Sequence, residues 1–283
     1  MNTAPTLPDF SFMMKVGQLR HIQSTRERGA FRNPDHLVWH FLSPSQRWSC
    51  LWRGRLLLPR LRADPFYDYV LARTRYYDEV FVDALCAGTQ RVINVGCGSD
   101  TRAYRYANLL AAQGARVLEC DQPGAIEAKQ LMARRRLPAD RVDYAPIDLN
   151  EGRWPQLEAS LAAPTGPTLV LMEGVSPYVN AGAFADFLSL LASRLAAGSR
   201  IAYDYKIRGV SDSFGLEGRT HDPFRLATCE RELAEFHRGL GLRLVHSETS
   251  AALTARLLQP TAARPVRVFT HDALVQLEVP QQA

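Results

Sequence analysis

The stretch Arg91-Val92-Ile93-Asn94-Val95-Gly96-Cys97-Gly98-Ser99-Asp100 decides how this chain is read. An apolar run of strand length enters a turn with two glycines two positions apart, and a helical pattern follows. Glycine at such a turn lets a ligand approach bare backbone, because no Cβ stands in the way. A dinucleotide fingerprint would need a third glycine at position 101, where a β-branched Thr101 stands instead, so the turn points away from a nicotinamide dinucleotide. Ser99 or Asp100 can cap the helix that begins at Thr101.

Outward from this turn, short apolar runs alternate with longer helical stretches, the sequence pattern of a parallel sheet with crossover helices. Strands are expected at 91–95, 116–120, 142–147, 168–172 and 200–204. The run at 168–172 is apolar throughout and therefore central. Two later runs, 243–247 and 266–270, would add an antiparallel edge. Helices are expected to begin near Asp100, Pro123, Trp154 and Ala181. The fold class is thus α/β, a Rossmann-like doubly wound sheet. Residues 1–86 lack strand alternation, hold three of the four tryptophans, and read as an N-terminal helical cap on a catalytic domain at 87–283. Residues 207–228 read as a substrate-side insertion after the fifth strand.

Two carboxylates follow strands in places where α/β proteins bind nucleosides. Asp121 ends the second strand about twenty residues past the glycines, where an acid can accept hydrogen bonds from ribose hydroxyls; capping of the helix at Pro123 is the alternative. Glu119 has the same chemistry but can point to the other face. Asp148 follows the third strand and could accept from an adenine amino group while Leu149 packs on the ring; a plain turn is the competing reading. Arg73 falls within the apolar stripe formed by positions 66, 69, 70, 77, 80 and 81. A guanidinium held there needs a ligand carboxylate or an acid of the chain, Asp78 among the candidates.

At this point the residues support a family. Val92 to Arg105, with Gly96-Cys97-Gly98-Ser99-Asp100-Thr101-Arg102 at its centre, resembles the signature of the leucine carboxyl methyltransferase family, which includes tetracenomycin-type polyketide O-methyltransferases. Ala72-Arg73-Thr74, Glu119-Cys120-Asp121-Gln122-Pro123 and Met172-Glu173-Gly174-Val175 resemble its other blocks, in order. After Val175 the family's usual apolar pair is replaced by Ser176-Pro177. The resemblance implies a class I methyltransferase using S-adenosyl-L-methionine and releasing S-adenosyl-L-homocysteine. It also implies roles: Arg73 on the methionine carboxylate, Gly96 and Gly98 lining the cofactor, Asp121 on the ribose, Asp148 and Leu149 at the adenine, and Glu173 near the amino group and sulfonium. A basic residue from the cap would help, with Arg20, Arg26 and Arg28 as the choices.

The acceptor is expected to be a small acidic or phenolic molecule, a polyketide for example, with a protein C-terminal carboxylate or a non-catalytic binding module as alternatives. A carboxylate is ionised at neutral pH and needs no general base, whereas a phenol with a pKa of about 10 benefits from one. Tyr178 and His221 are the candidate catalytic residues, followed by His36, His40 and Tyr205. The net charge of +5 is spread among mixed charges, so no nucleic acid is expected. Five scattered cysteines without a C-x-x-C pair suit a reducing cytoplasm, and no metal site is expected. No run approaches the ~18 apolar residues of a bilayer span, so no membrane partner is expected either. Oligomeric state is not readable.

Overall fold

Apolar residues alternate along the strands and so feed two cores. Val92, Val117, Leu169, Leu171 and Leu274 enter one, while Ile93, Val95, Val170, Met172 and Tyr203 enter the other. A sheet buried on both sides needs helices on both sides. The computed structural model describes residues 10–162, 166–210, 224–261 and 263–281, and it has this three-layer arrangement.

Among the described residues, four α-helices precede the sheet: α1 (Phe10–Arg26), α2 (Pro44–Leu56), α3 (Leu58–Ala63) and α4 (Pro65–Cys86). Then follow β1 (Arg91–Val95), α5 (Arg102–Arg105), α6 (Ala107–Ala112), β2 (Arg116–Asp121), α7 (Pro123–Arg134), β3 (Val142–Pro146), α8 (Pro155–Leu161), β4 (Thr168–Met172), α9 (Ala181–Arg194) and β5 (Arg200–Ile207). The remainder comprises β6 (Arg225–Leu226), α10 (Glu230–Gly239), β7 (Arg243–Thr249), α11 (Ser250–Leu258) and β8 (Asp272–Glu278). The sheet runs β3-β2-β1-β4-β5-β8-β7, with β6 beside β5. Residues of α4, α6, α7 and α11 line the first core, and residues of α8, α9 and α10 the second.

The strand order reverses between β1 and β4, which are parallel neighbours with Arg91 opposite Thr168. Chains leave these two strands for different faces, so a crevice opens at their carboxyl ends, the general location of ligands in open α/β sheets. The fully buried β4 lies centrally, as its composition requires. Positions 66, 69, 70, 77, 80 and 81 of α4 are all buried, and so is Arg73. This helix packs on α11 and β4 as well as on α1 and α3, and it ties the N-terminal helices to the sheet.

One expected strand is corrected. Residues 266–270 are not a strand; β8 begins at Asp272 and pairs antiparallel with both β5 and β7. Residues 266–270 are held by other partners. The Arg267 backbone N–H donates to Asp68 at 2.9 Å, the Phe269 carbonyl accepts from the Ser250 hydroxyl at 2.8 Å, and the Phe269 ring stacks on Tyr69. The antiparallel part is also not a simple edge, since β8 lies between β5 and β7. β5 runs on to Ile207 and β6 pairs with its end, so the expected insertion at 207–228 contains a short strand. Residues 211–223, His221 among them, lie outside the described residues.

Candidate functional site

The glycine turn after β1 fits its backbone. Gly96 has φ +65° and Gly98 φ +37°, a region that costs a residue bearing a Cβ. A Cβ on Gly96 would collide with Cγ2 of Val175, from the loop after β4. The two loops that flank the crevice therefore touch through a hydrogen atom, and glycine is what permits it.

A carboxylate from the neighbouring strand pins each of these loops. Asp121, at the end of β2, accepts the Gly98 N–H at 2.7 Å through one oxygen and the Gln122 N–H at 2.8 Å through the other. Asp204, on β5, accepts the Gly174 N–H at 2.6 Å and the Tyr77 hydroxyl at 3.0 Å. Burial raises both carboxyl pKa values. The backbone N–H groups of Gly98 and Gln122 oppose that rise for Asp121, and the Arg73 guanidinium opposes it for Asp204. An ionised carboxylate has about four acceptor positions, so two backbone bonds leave Asp121 capacity for a ligand. Asp121 thus makes the helix-entry contact with Gln122 and is still able to meet a hydroxyl.

Arg73 lies beneath the second loop. Its Nε donates to Glu173 Oε1 at 3.2 Å and its Nη1 to Asp204 Oδ2 at 3.3 Å. The other Glu173 oxygen accepts from Arg102 Nη1 at 2.7 Å. Burial pushes the Glu173 carboxyl up, but the Arg102 and Arg73 guanidiniums outweigh it and hold Glu173 below its usual value. Asp78 is not the partner of Arg73. It takes Arg102 Nε at 2.8 Å and both terminal nitrogens of Arg105 at 2.6 and 2.7 Å.

The residues after the glycines form the floor of this network. Asp100 accepts the Arg102 N–H at 2.7 Å and the Arg102 Nη1 at 2.6 Å. It therefore starts the short helix α5 and also neutralises the guanidinium that α5 carries. Ser99 receives Arg20 Nη2 on its hydroxyl at 2.7 Å and on its carbonyl at 3.1 Å. Of the three cap arginines that the sequence leaves open, Arg20 reaches the turn, while Arg26 and Arg28 are exposed. From α7, Lys129 Nζ donates to the Cys97 carbonyl at 3.2 Å and pairs with Glu119 at 2.7 Å. Glu119 indeed faces away from Asp121 and is fully buried with Tyr104 and Lys129.

Asp148 accepts the Asn150 N–H at 2.9 Å and the Gln122 side chain at 3.1 Å, so Gln122 connects the ends of β2 and β3. Leu149 is buried in the second core with Trp154, whose indole N–H donates to the Asp148 carbonyl at 3.0 Å. Tyr178 ends the 3-10 turn Ser176–Tyr178, half-buried, and its carbonyl accepts from Asn150 at 3.3 Å. Ser176 is wholly buried and donates to the Asp204 carbonyl at 2.6 Å, a role that an apolar residue could not fill. Of the weaker candidates, Tyr205 donates to the Ala227 carbonyl at 3.0 Å, and His36 and His40 lie on the N-terminal region.

Of the candidates expected from sequence, the fold brings Gly96, Gly98, Asp148 and Glu173 to the loops after β1, β3 and β4, Asp121 to the end of β2, and Arg73 of α4 beneath them. Arg102, Arg105 and Lys129 had no expected partners, nor did Asp35, which pairs with Arg20 at 3.1 Å and accepts the Thr101 hydroxyl at 2.5 Å, and Asp204 was not among the candidates. The D-T-R run carries a local signal for Arg102, since Asp100 lies two residues away. Asp204 had only its position late in a strand. In this cluster the acids Asp35, Asp78, Asp100, Glu119, Asp121, Glu173 and Asp204 outnumber the bases Arg20, Arg73, Arg102, Arg105 and Lys129. The crevice therefore favours a ligand with net positive charge. Among the described residues, no group of three or more His, Cys, Asp or Glu could hold a metal ion, and no helix is long and apolar enough to cross a membrane.

Known proteins resemble the chain in sequence and in fold. A Mycobacterium avium protein, provisionally named an S-adenosyl-L-methionine-dependent methyltransferase, is 34% identical over 167 residues, which is 58% of this chain and 50% of that protein. A Mycobacteroides abscessus protein of the same provisional name is 28% identical over 276 residues, covering 94% of this chain and 87% of its own. The chain spans about half the length of the first curated relatives it matches. Among solved structures, a provisionally named methyltransferase from Thermobifida fusca aligns with a TM-score of 0.56 at 12% identity, over 88% of this chain and 95% of that one, and so shares the fold. Residues 16–192, which carry every ionic side chain of the crevice except Asp204, match the family model described as Leucine carboxyl methyltransferase, and by that match over more than half its length the chain belongs to the leucine carboxyl methyltransferase family.

Proposed function

We propose that the chain is an S-adenosylmethionine-dependent O-methyltransferase that esterifies a carboxylate. The excess of carboxylates around the two glycine loops supports the cofactor, which combines a sulfonium and an ammonium with one carboxylate, and the family description supports the carboxyl acceptor. The chemistry of the cofactor suits the residues present. Gly98 would line it with bare backbone while Gly96 lets the Val175 loop close against the turn, Asp121 and Asp148 offer acceptors for ribose and adenine, and Glu173 offers one for the ammonium. Arg73 would donate to the methionine carboxylate, and Leu149 would border the base.

When bound, the cofactor supplies an electrophilic methyl group on sulfur. The chain's own residues then have to align an oxygen with that carbon and exclude water, which is the main source of rate in such displacements. A carboxylate acceptor is already anionic and needs no base. Tyr178 would orient the acceptor rather than take its proton, and a basic role for His221 would be needed only with a phenol.

The family description names a carboxyl acceptor. It favours the C-terminal carboxylate of a protein over the free metabolite expected from the sequence, although a small acid presents the same oxyanion. The test is methyl-labelled cofactor with a peptide ending in a free leucine carboxylate, its amidated counterpart, and a set of aromatic acids and phenols. Label released as methanol by mild base, from the free peptide and not from the amide, is expected. Label stable to base and confined to phenols would sink the proposal.

A further inference from the structure

Helix α2 has apolar side chains on two opposite faces. One face packs inward through small residues: Cys50 and Gly54 are buried, and a Cβ on Gly54 would stand 3.2 Å from Ile22 of α1. The opposite face carries Trp48, Leu51, Trp52 and Leu56, which are 61%, 53%, 63% and 79% exposed. The spacing i, i+3, i+4 and i+8 sets them in one stripe, and the Trp48 and Trp52 rings lie 6.0 Å apart. The helix does not depend on that stripe to form. Pro44 at its first turn and the reciprocal Ser43–Gln46 capping box fix its start.

Charge decides what would cover the stripe. Residues 44–63 contain no acid. Arg47 donates to the carbonyls of Trp39 and His40, and Arg62 pairs with Glu27, so those two belong to the fold. Arg53, Arg55 and Arg60 are exposed and have no ion-pair partner among the described residues. A second copy meeting this face in two-fold fashion would set these arginines against themselves. A flat interface with anionic groups beside an apolar layer suits both the stripe and the arginines, because tryptophan favours the headgroup level and arginine can extend to phosphate.

We propose that α2 is a peripheral anchor that inserts Trp48, Leu51, Trp52 and Leu56 into the surface of a bilayer containing anionic lipid, with Arg53, Arg55 and Arg60 at the headgroups. The sequence expectation of no membrane partner considered only spanning segments; this is a surface contact.

The test is co-sedimentation of the full chain with vesicles of phosphatidylcholine alone and of phosphatidylcholine mixed with phosphatidylglycerol. About a hundredfold tighter binding to the anionic vesicles is expected for three arginines. Trp48→Ser with Trp52→Ser should reduce that binding at least ~10-fold, through lost apolar insertion. The triple change of Arg53, Arg55 and Arg60 to Gln should remove the lipid preference. Unchanged thermal melting and cofactor binding would show that the variants remain folded. No sedimentation with anionic vesicles would overturn the proposal. So would a dimer that the tryptophan changes dissociate, or binding to poly-glutamate that the arginine changes abolish and the tryptophan changes leave intact.

Discussion

Arg73 and Glu173 lie one hundred positions apart in the chain and meet at 3.2 Å under the loop that follows β4. The pair joins the N-terminal helices to the sheet, because Arg73 belongs to α4 and Glu173 follows directly on β4. Neither residue is exclusive to the other: Asp204 shares the guanidinium and Arg102 shares the carboxylate. A ligand carboxylate arriving at Arg73 would therefore enter an existing exchange among charges. It would not have to fill an uncompensated one.

That arrangement predicts the behaviour of Arg73→Met. Removing one partner of a buried pair leaves the other charge uncompensated, which costs about 3–5 kcal/mol where no rearrangement helps. Arg102 and the Gly174 N–H still serve Glu173 and Asp204, so a loss near the lower end of that range is expected in urea unfolding. Cofactor affinity should fall more for S-adenosylmethionine than for an analogue lacking the amino-acid carboxylate. Equal loss for both ligands, measured by calorimetry, would show that Arg73 only supports the fold.

Asp121→Ala is expected to weaken cofactor binding by about 1–3 kcal/mol, the usual loss for a hydrogen bond to a charged group. The same change frees the Gly98 N–H, so Asp121→Asn is the informative companion. The amide keeps one acceptor for Gly98 or for a ribose hydroxyl, but not the full set. Affinity between those of the parent and the alanine variant is expected for Asn. Unchanged affinity in both would confine Asp121 to holding the turn.

The sheet was legible because its strands are short apolar runs whose period shows locally. The five expected parallel strands, β1 to β5, start where the apolar runs start, and α7 and α9 begin at Pro123 and Ala181 as expected. The error at 266–270 has a nonlocal cause. Val266 and Phe269 look strand-like, yet their segment is held by Asp68, almost two hundred residues earlier. The site divides in the same way. Glycines and strand-end acids carry positional signals, so Gly96, Gly98, Asp121 and Asp148 could be named. Pairing among Arg73, Asp78, Arg102, Arg105, Glu173 and Asp204 depends on which side chains the fold brings together. With several arginines and acids available, spacing alone could not choose Asp204 over Asp78 as the partner of Arg73.

Gly96→Ala should destabilise the chain by well over the ~1–2 kcal/mol that a positive φ costs an alanine, because the added methyl meets Val175. Val175 is β-branched and stiff, so it cannot swing aside cheaply. The double variant Gly96→Ala with Val175→Ala should recover the steric part and keep the backbone part. A coupling of about 1 kcal/mol or more in the double-mutant cycle is expected from chemical denaturation. Strictly additive losses would mean that the two loops do not press on one another.

Acid sensitivity should show a contribution from His237, far from the crevice. Its ring is fully buried; Nδ1 donates to the Leu233 carbonyl at 2.6 Å, which leaves Nε2 to accept the Tyr203 hydroxyl, also at 2.6 Å. Burial lowers its pKa from 6.5 to about 4, with the Leu233 carbonyl opposing the shift. The unfolded chain therefore takes up this proton at higher pH than the folded one. Stability from this group is complete above about pH 6.5 and is lost as the pH falls toward 4, by about 3 kcal/mol in all. Carboxylates titrate in part of the same range, so the comparison needed is with His237→Gln. That variant should be less stable than the parent at pH 8, and the difference between them should shrink steadily from pH 6.5 to 4 in urea titrations. A constant difference across that window would mean that His237 is protonated in the folded chain as readily as in the unfolded one.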